Sequence, residues 1–209
     1  MQGPDILSTS TIRAVEILGS GGVIALPTDT LYGISANALD ADAASKVFTV
    51  KGREEFSPLP IFVSDASDIF CYGRDVPDIA VRLAELFWPG KLTIVVGKSD
   101  RIPSVVSGGY DTVGLRIPDH PIPREIVREL GAPITATSAN VSGKPPLTAA
   151  SDVVVELGSR LQLVFDGGVL SPSLPSTVID VTANPPRILR EGAVSPSSIQ
   201  KLAGIPLEV

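Results

Sequence analysis

Three short polar segments lie at the ends of apolar runs, and they contain residue types that bind phosphates and carboxylates. They are residues 27–33 (PTDTLYG), 51–53 (KGR) and 137–140 (TSAN). Hydroxyl groups and fixed positive charges at the ends of strands and helices are typical of sites that hold anionic ligands. The pattern predicts a binding floor for a phosphorylated or carboxylated ligand.

The composition does not favour a nucleophile or a protein-bound metal. The 209 residues include one histidine and one cysteine, and the sequence shows no cluster of residues with the spacing of a metal-binding motif. His120 lies in a turn (PDHP) before a predicted helix, where a capping role is favoured. Neither Gly90-Lys91 nor Gly143-Lys144 has the glycine that a phosphate loop requires. Any chemistry is expected to depend on positioning and electrostatics.

Arg116 lies inside an apolar predicted strand, and Arg190 directly follows another. A buried charge is costly without an anionic partner, so each arginine needs a protein carboxylate or a ligand. Asp29 lies in a Pro-Thr-Asp-Thr turn, where a role as a backbone cap is favoured. Nothing in the sequence brings Asp29 and Asp119 together as an acid–base pair.

Lys51 and Arg53 follow a predicted helix directly. Cations in that position complement the helix dipole, and composition alone favours that interpretation.

Charge and hydropathy indicate a globular protein that is not specialised for nucleic acid. Hydrophobic residues make up 44%, charged residues 19%, and the net charge is −6. A protein that holds nucleic acid by bulk charge is normally basic. Cys71 is interpreted as a small buried residue that forms no internal disulfide. No secretory signal or membrane-spanning run is visible, so a cytoplasmic protein without membrane contact is expected.

Apolar periodicity and turn residues predict interspersed helices and strands in a single domain over residues 1–209. The predicted helices cover residues 11–18, 42–50, 77–87, 121–130, 149–157 and 195–202. The predicted strands cover residues 23–26, 59–63, 92–96, 112–117, 134–137, 163–165, 177–181 and 187–189. Several strands follow one another directly, which favours a mixed parallel and antiparallel sheet, and so an α/β fold.

Eight motifs occur in one order along most of the chain. They are residues 22–33 (GVIALPTDTLYG), 51–53 (KGR) with 58–59 (PL), 88–90 (WPG) with 92–93 (LT), 112–118 (TVGLRIP), 138–140 (SAN), 166–168 (DGG), 176–178 (STV) and 189–190 (LR). Together they resemble the YrdC-like family, the threonylcarbamoyl-AMP synthases, over about residues 21–192, with a tail over 193–209. The resemblance implies a twisted mixed sheet flanked by helices, with an open and locally positive cleft.

The family's reaction joins L-threonine, bicarbonate and ATP into L-threonylcarbamoyladenylate and pyrophosphate, for threonylcarbamoyladenosine modification of tRNA. The resemblance implies that Mg²⁺ is carried on the ATP phosphates and that the adenylate passes to tRNA-modifying partner proteins. Weak binding of tRNA is also expected. It implies site residues in four groups: Lys51 and Arg53 as electrostatic catalysts; Lys51, Arg53, Ser57, Thr112, Ser138 and Arg190 for ATP; Thr30, Arg116, Ala136 and Ser176 for threonine or bicarbonate; and Tyr32, Phe62 and Asn140 to shape the pocket.

Departures from the family pattern occur beside these residues. Glu54 replaces a common proline, Phe62 stands where some longer relatives have histidine, and Glu191 follows Arg190.

Two alternatives stay open at this point. One is a non-catalytic factor that binds double-stranded RNA or tRNA, or that acts in ribosome maturation, through the same cleft. The acidic balance and the lack of aromatic clusters argue against it. The other is carbamoyl-adenylate formation as in hydrogenase-maturation proteins. Those proteins carry Cys-x-x-Cys zinc motifs, which a chain with one cysteine lacks.

Overall fold

The computed structural model describes residues 6–52 and 57–208. The helices, in chain order, are α1 (Thr11–Gly19), α2 (Ala41–Lys51), α3 (Asp68–Tyr72), α4 (Asp78–Phe87), α5 (Ser104–Ser107), α6 (Pro121–Leu130), α7 (Ala150–Leu157) and α8 (Pro196–Ala203). The strands are β1 (Leu7–Ser8), β2 (Ile24–Leu26), β3 (Gly33–Ser35), β4 (Ile61–Phe62), β5 (Gly73–Arg74), β6 (Leu92–Lys98), β7 (Thr112–Arg116), β8 (Ile134–Thr135), β9 (Thr137–Ser138), β10 (Leu163–Phe165), β11 (Thr177–Asp180) and β12 (Arg187–Arg190).

Within these ranges the strands form a sheet of five and a sheet of seven. The first has the order β1-β10-β2-β3-β9. The second has the order β12-β11-β6-β7-β4-β8, with β5 paired to β6. Both sheets combine parallel and antiparallel pairs, for example β11 parallel and β7 antiparallel to β6. The predicted mixed α/β architecture is confirmed, with its strands divided over two sheets.

One predicted strand is shared between the sheets. Residues 134–137 were expected to form a single strand, but the structure breaks it at Ala136. Ile134 and Thr135 pair with β4 of the seven-stranded sheet. Thr137 and Ser138 pair with β3 of the five-stranded sheet. The Ala136 amide donates to the Pro60 carbonyl at 2.7 Å, so the chain crosses from one sheet to the other beside β4.

Amphipathic helices cover the sheets, and their buried faces follow the helical repeat. In α6 the buried residues are Pro123, Ile126 and Val127. Ile126 packs in a smaller core cluster with Leu18 of α1 and Ile24 of β2, while most other buried apolar residues form one larger cluster. Fully burying each such side chain contributes roughly 1.5–3 kcal/mol. None of the described helices is both long and apolar enough to cross a membrane.

Cys71 differs from its prediction. It was interpreted as a small buried residue, but it is exposed. It lies in the short helix α3, which the sequence pattern did not predict.

His120 has the capping role that was predicted for it. Its Nδ1 accepts a hydrogen bond from the Ile122 amide at 3.3 Å, and Pro121 occupies the first helical position of α6. Burial lowers the pKa of His120 below its usual value of 6.5, while the nearby carboxylates of Asp29 and Asp119 oppose that shift.

This lowered pKa predicts a pH-dependent stability. A group whose folded pKa is depressed stabilises the fold above its unfolded pKa, and that stability is lost as the pH falls. The free energy of unfolding should therefore decrease as the pH falls below about 6.5, by less than about 1 kcal/mol because the site is partly exposed. His120→Asn retains a good N-cap and removes the titration. Urea unfolding across this range should show a flatter profile for the variant, and identical profiles would contradict the assignment.

Candidate active site

A cavity of about 530 Å³ is lined by residues of both sheets and of the loops beside them. Eleven of the predicted site residues line it: Thr30, Tyr32, Lys51, Phe62, Thr112, Arg116, Ala136, Ser138, Asn140, Ser176 and Arg190. Ser57 is described but is not among the lining residues, and Arg53 lies outside the described residues, as does Glu54. Residues from widely separated parts of the chain therefore meet at one concave surface of a size suited to a small ligand.

Lys51 joins the end of α2 to the loop after β9. Helix α2 ends at Gly52, which has the left-handed backbone (φ 60°) that favours glycine. The Lys51 side chain turns inward, and the residue is only 3% exposed. Its Nζ donates to the carbonyl of Asn140 at 3.0 Å, to Asn140 Oδ1 at 3.1 Å and to the carbonyl of Ser138. Lys51 is thus a buried cation at the cavity and not a solvent-facing cation at a helix end.

Asn140 fixes the shape of this loop through both ends of its amide. Oδ1 accepts from Ser138 Oγ at 2.5 Å as well as from Lys51. Nδ2 donates to the carbonyl of Lys144 at 2.6 Å and to that of Val141 at 3.0 Å. Lys51, Ser138 and Asn140 therefore form one connected polar network, which we call the lysine network.

Arg116 reaches the cavity from the end of β7 and is held on three sides. Its Nε donates to the Gly90 carbonyl at 2.8 Å, and Nη2 donates to Asp29 Oδ1 at 2.6 Å. The guanidinium lies over the Phe62 ring, 5.7 Å from its centroid, a favourable cation–π arrangement. Burial lowers the pKa of Arg116, and the charge of Asp29 opposes that shift. The anionic partner that the sequence required is an internal carboxylate, although Arg116 also lines the cavity.

Asp29 differs from its predicted role as a backbone cap. The cap of this turn is Thr28, whose Oγ1 accepts from the amides of Thr30 and Leu31, each at 3.1 Å. The Asp29 carboxylate is instead committed to Arg116. Sequence reasoning missed this contact because proline, threonine and aspartate in a turn are common capping residues.

Arg190 and Ser176 form a second arginine-centred contact. Arg190 Nη2 donates to the Ser176 carbonyl at 2.8 Å and to its Oγ at 3.0 Å, and Nε donates to the same carbonyl at 3.2 Å. Burial lowers the pKa of Arg190. Ser176 Oγ also bonds Thr93 Oγ1 at 2.9 Å. Thr93 is 1% exposed and lines the cavity, a position that sequence reasoning recorded only as part of a motif.

Tyr32 holds the turn at residues 166–168 through its hydroxyl group. Its hydroxyl donates to the Gly168 carbonyl and accepts from the Gly167 amide, both at 3.0 Å. Burial raises the pKa of Tyr32. Residue 167 must be glycine here, since a Cβ would lie 2.6 Å from Pro27 Cγ. Tyr32 therefore sets the position of a backbone turn as well as lining the cavity.

The charged side chains that line the described part of the cavity are Lys51, Arg116 and Arg190. Among the described residues there is no group of three or more histidine, cysteine, aspartate or glutamate side chains that could hold a metal ion. The arrangement offers cations and hydroxyls to an anionic ligand, in a molecule whose net charge is −6.

The fold and this cavity define an α/β protein with a cavity between two sheets that is lined by cations and hydroxyl groups. The family model Sua5_yciO_yrdC, described as "Telomere recombination", matches residues 16–192, which is most of the chain. The chain belongs to this family.

Curated relatives carry the name threonylcarbamoyl-AMP synthase. The chain is 39% identical to the one from Pyrococcus abyssi over 191 residues, which are 91% of this chain and 56% of the relative. It is 37% identical to the one from Bacillus subtilis, with coverage of 96% and 59%. The structure matches P. abyssi Sua5 solved in complex with L-threonine, with a TM-score of 0.91, 38% identity and coverage of 95% of this chain and 58% of that one. The chain thus spans less than two thirds of the length of these relatives.

Proposed function

We propose that the protein synthesises L-threonylcarbamoyladenylate from L-threonine, bicarbonate and ATP. The amine of threonine and bicarbonate combine with loss of water to form a carbamate. A carbamate oxygen attacks the α-phosphorus of ATP, and the bond between that phosphorus and the α,β-bridging oxygen breaks, so that the β- and γ-phosphates leave as pyrophosphate. The enzyme in this scheme is a nucleotidyltransferase, and the product serves threonylcarbamoyladenosine modification of tRNA.

One observation carries the proposal: Arg116 and the lysine network line the same cavity. Transfer between a carboxylated substrate and a triphosphate requires alignment of the two and neutralisation of the charge that develops. Cations held in a partly enclosed site supply that stabilisation through their charge. A protein with these groups and family membership has the parts that the reaction needs.

The residue roles follow from chemistry and from the family resemblance. Arg116 binds the carboxylate of threonine, and Thr30, Ser176 and the Ala136 backbone contact the rest of the amino acid. The groups assigned to ATP are Lys51, Arg53, Ser57, Thr112, Ser138 and Arg190, while Tyr32, Phe62 and Asn140 shape the pocket. Lys51 and Arg53 stabilise charge on the phosphates. In this structure Arg190 is turned to Ser176, so its contact with ATP requires an exchange of hydrogen bonds.

Magnesium enters this scheme as part of the MgATP substrate. Mg²⁺ commonly keeps several waters and binds through substrate phosphates with few protein ligands. The hydroxyls and amides around the cavity are compatible with that mode of binding. The metal neutralises phosphate charge when it is bound, and the protein residues orient the phosphates.

The adenylate is a mixed anhydride and is consumed by a reaction that transfers its threonylcarbamoyl group to tRNA, so partner proteins that receive it are expected. We place the protein in the cytoplasm, as a single domain over residues 1–209, and expect weak binding of tRNA.

Pyrophosphate release with substrate omission tests the function. The purified chain should release pyrophosphate only when ATP, Mg²⁺, L-threonine and bicarbonate are all present, since the carbamate is the attacking group. Omission of threonine or bicarbonate should reduce the rate to background. Glycine and L-serine are the matched controls for the amino acid. Equal release with glycine, or without any amino acid, would refute the substrate assignment.

A further inference from the structure

Asp29 is a buried acid in a site that is proposed to bind anions. Its side chain is 7% exposed, and that of Arg116 is 5% exposed. Asp29 Oδ1 accepts from Arg116 Nη2 at 2.6 Å, while Oδ2 is buried with no hydrogen-bond partner among the described residues. A carboxylate oxygen without a partner is costly to bury, so the position of Asp29 requires an explanation beyond packing.

The contacts of Arg116 leave one part of its guanidinium for a ligand. Nε is used by the Gly90 carbonyl, Nη2 by Asp29, and one face by the Phe62 ring. Nη1 makes no hydrogen bond in the described part of the protein, and Arg116 lines the cavity. The donor is therefore held in one orientation before any ligand arrives, which reduces the entropy cost of binding.

The same contacts reduce the net charge that a ligand experiences. Arg116 and Asp29 together carry no net charge, so Nη1 presents the positive end of a dipole and not a full isolated cation. A singly charged carboxylate can accept hydrogen bonds from this dipole at a moderate desolvation cost. A doubly charged phosphate group has a larger desolvation cost and a stronger repulsion from Asp29.

We propose that Asp29 is a positioning and selectivity residue, which makes the Arg116 part of the cavity accept a carboxylate and reject a phosphate group. This keeps the triphosphate of ATP away from the position of the amino acid. The inference rests on the proposed function for the identity of the carboxylated ligand, but the selection itself is a property of the Asp29–Arg116 pair.

Asp29→Asn separates charge from geometry, because an asparagine oxygen can still accept from Nη2. Inorganic phosphate is the probe, and calorimetric titration of the purified full chain is the measurement. Asp29→Asn should bind phosphate at least about tenfold more tightly than the wild type, since the repulsion is gone. Adding Arg116→Gln to the variant should abolish that gain. Asp119→Asn, the same substitution at an exposed position nearby, should leave phosphate affinity unchanged.

A residue with a merely structural role would give a different result. Asp29→Asn would then weaken all ligands or none, and phosphate affinity would not rise. A folded Asp29→Asn protein with wild-type phosphate affinity overturns the proposal, as does a gain that persists after Arg116→Gln. Failure of the proposed function gives a different result: the wild type would then not bind L-threonine, whether or not Asp29→Asn changes the affinity for phosphate.

A second measurement needs no variant and covers the case in which Asp29→Asn fails to fold. The wild type should bind L-threonine at least about tenfold more tightly than the analogue in which a phosphonate replaces the carboxylate. Equal affinities for the two compounds would overturn the proposal.

Discussion

Replacing Arg116 with alanine is expected to lower the free energy of unfolding by about 3–5 kcal/mol. The loss arises because Asp29 would remain buried without its cation, and its second oxygen already lacks a partner in the described structure. The threonine dependence of pyrophosphate release should be lost as well, since Nη1 would no longer be present. Urea unfolding and a threonine titration measure the two effects separately.

A double-mutant cycle isolates the contribution of the pair. Arg116→Ala combined with Asp29→Ala should recover a large part of the lost stability, because no charge is then left buried alone. Arg187→Ala is the matched control: Arg187 pairs with Asp180 at 3.7 Å, but its side chain is 52% exposed. Exposed pairs contribute about 0–1 kcal/mol. If Arg116→Ala is no more costly than Arg187→Ala and retains threonine dependence, then Arg116 has neither role.

Lys51→Ala is expected to reduce kcat/KM for ATP by about 10²–10³-fold, the usual cost of removing one fixed donor from a charge-stabilising site. The substitution removes a buried cation and also removes the donor that the carbonyls of Ser138 and Asn140 share. The threonine affinity should change much less. Steady-state kinetics with each substrate varied in turn, together with ATP titrations, would measure this difference.

Lys46→Ala provides the matched control for Lys51. Both lysines lie on α2, and Lys46 also donates to a backbone carbonyl, that of Gly21 at 2.8 Å. Lys46 is exposed and is not among the residues that line the described cavity. Its removal should leave the ATP dependence unchanged. Should the two variants show the same ATP dependence, Lys51 would have a purely structural role.

The longer elements could be predicted from sequence because they carry their own signals. Helix α6 begins and ends where the pattern predicted, since a cap, an early proline and a regular apolar repeat define it. The short strands β3 and β9 carry no such repeat. They pair with each other across a long stretch of chain, and β3 also pairs with the preceding strand β2. Two or three residues are too few to show a period.

The sequence predicted which residues line the site, but it did not predict which of them contact one another. The cost of burying Arg116 in an apolar strand predicted an anionic partner, but it did not distinguish a protein carboxylate from a ligand. The partner is Asp29, 87 residues away, and no local pattern encodes that pairing. The same limit applies to Thr93 and Ser176, 83 residues apart, whose hydroxyls meet only because β6 and β11 are neighbours. The predicted contact of Arg53 lies outside the described residues.

The passage of one chain segment from β8 to β9 has a mechanical consequence. Only Ala136 separates the two strands, and each strand is hydrogen-bonded within its own sheet. A change in the spacing of the sheets at this point would therefore require either rotation of the backbone at Ala136 or the loss of hydrogen bonds in β8 or β9. We expect substitutions at Ala136 to alter the relative position of the two sheets more than substitutions elsewhere in these strands.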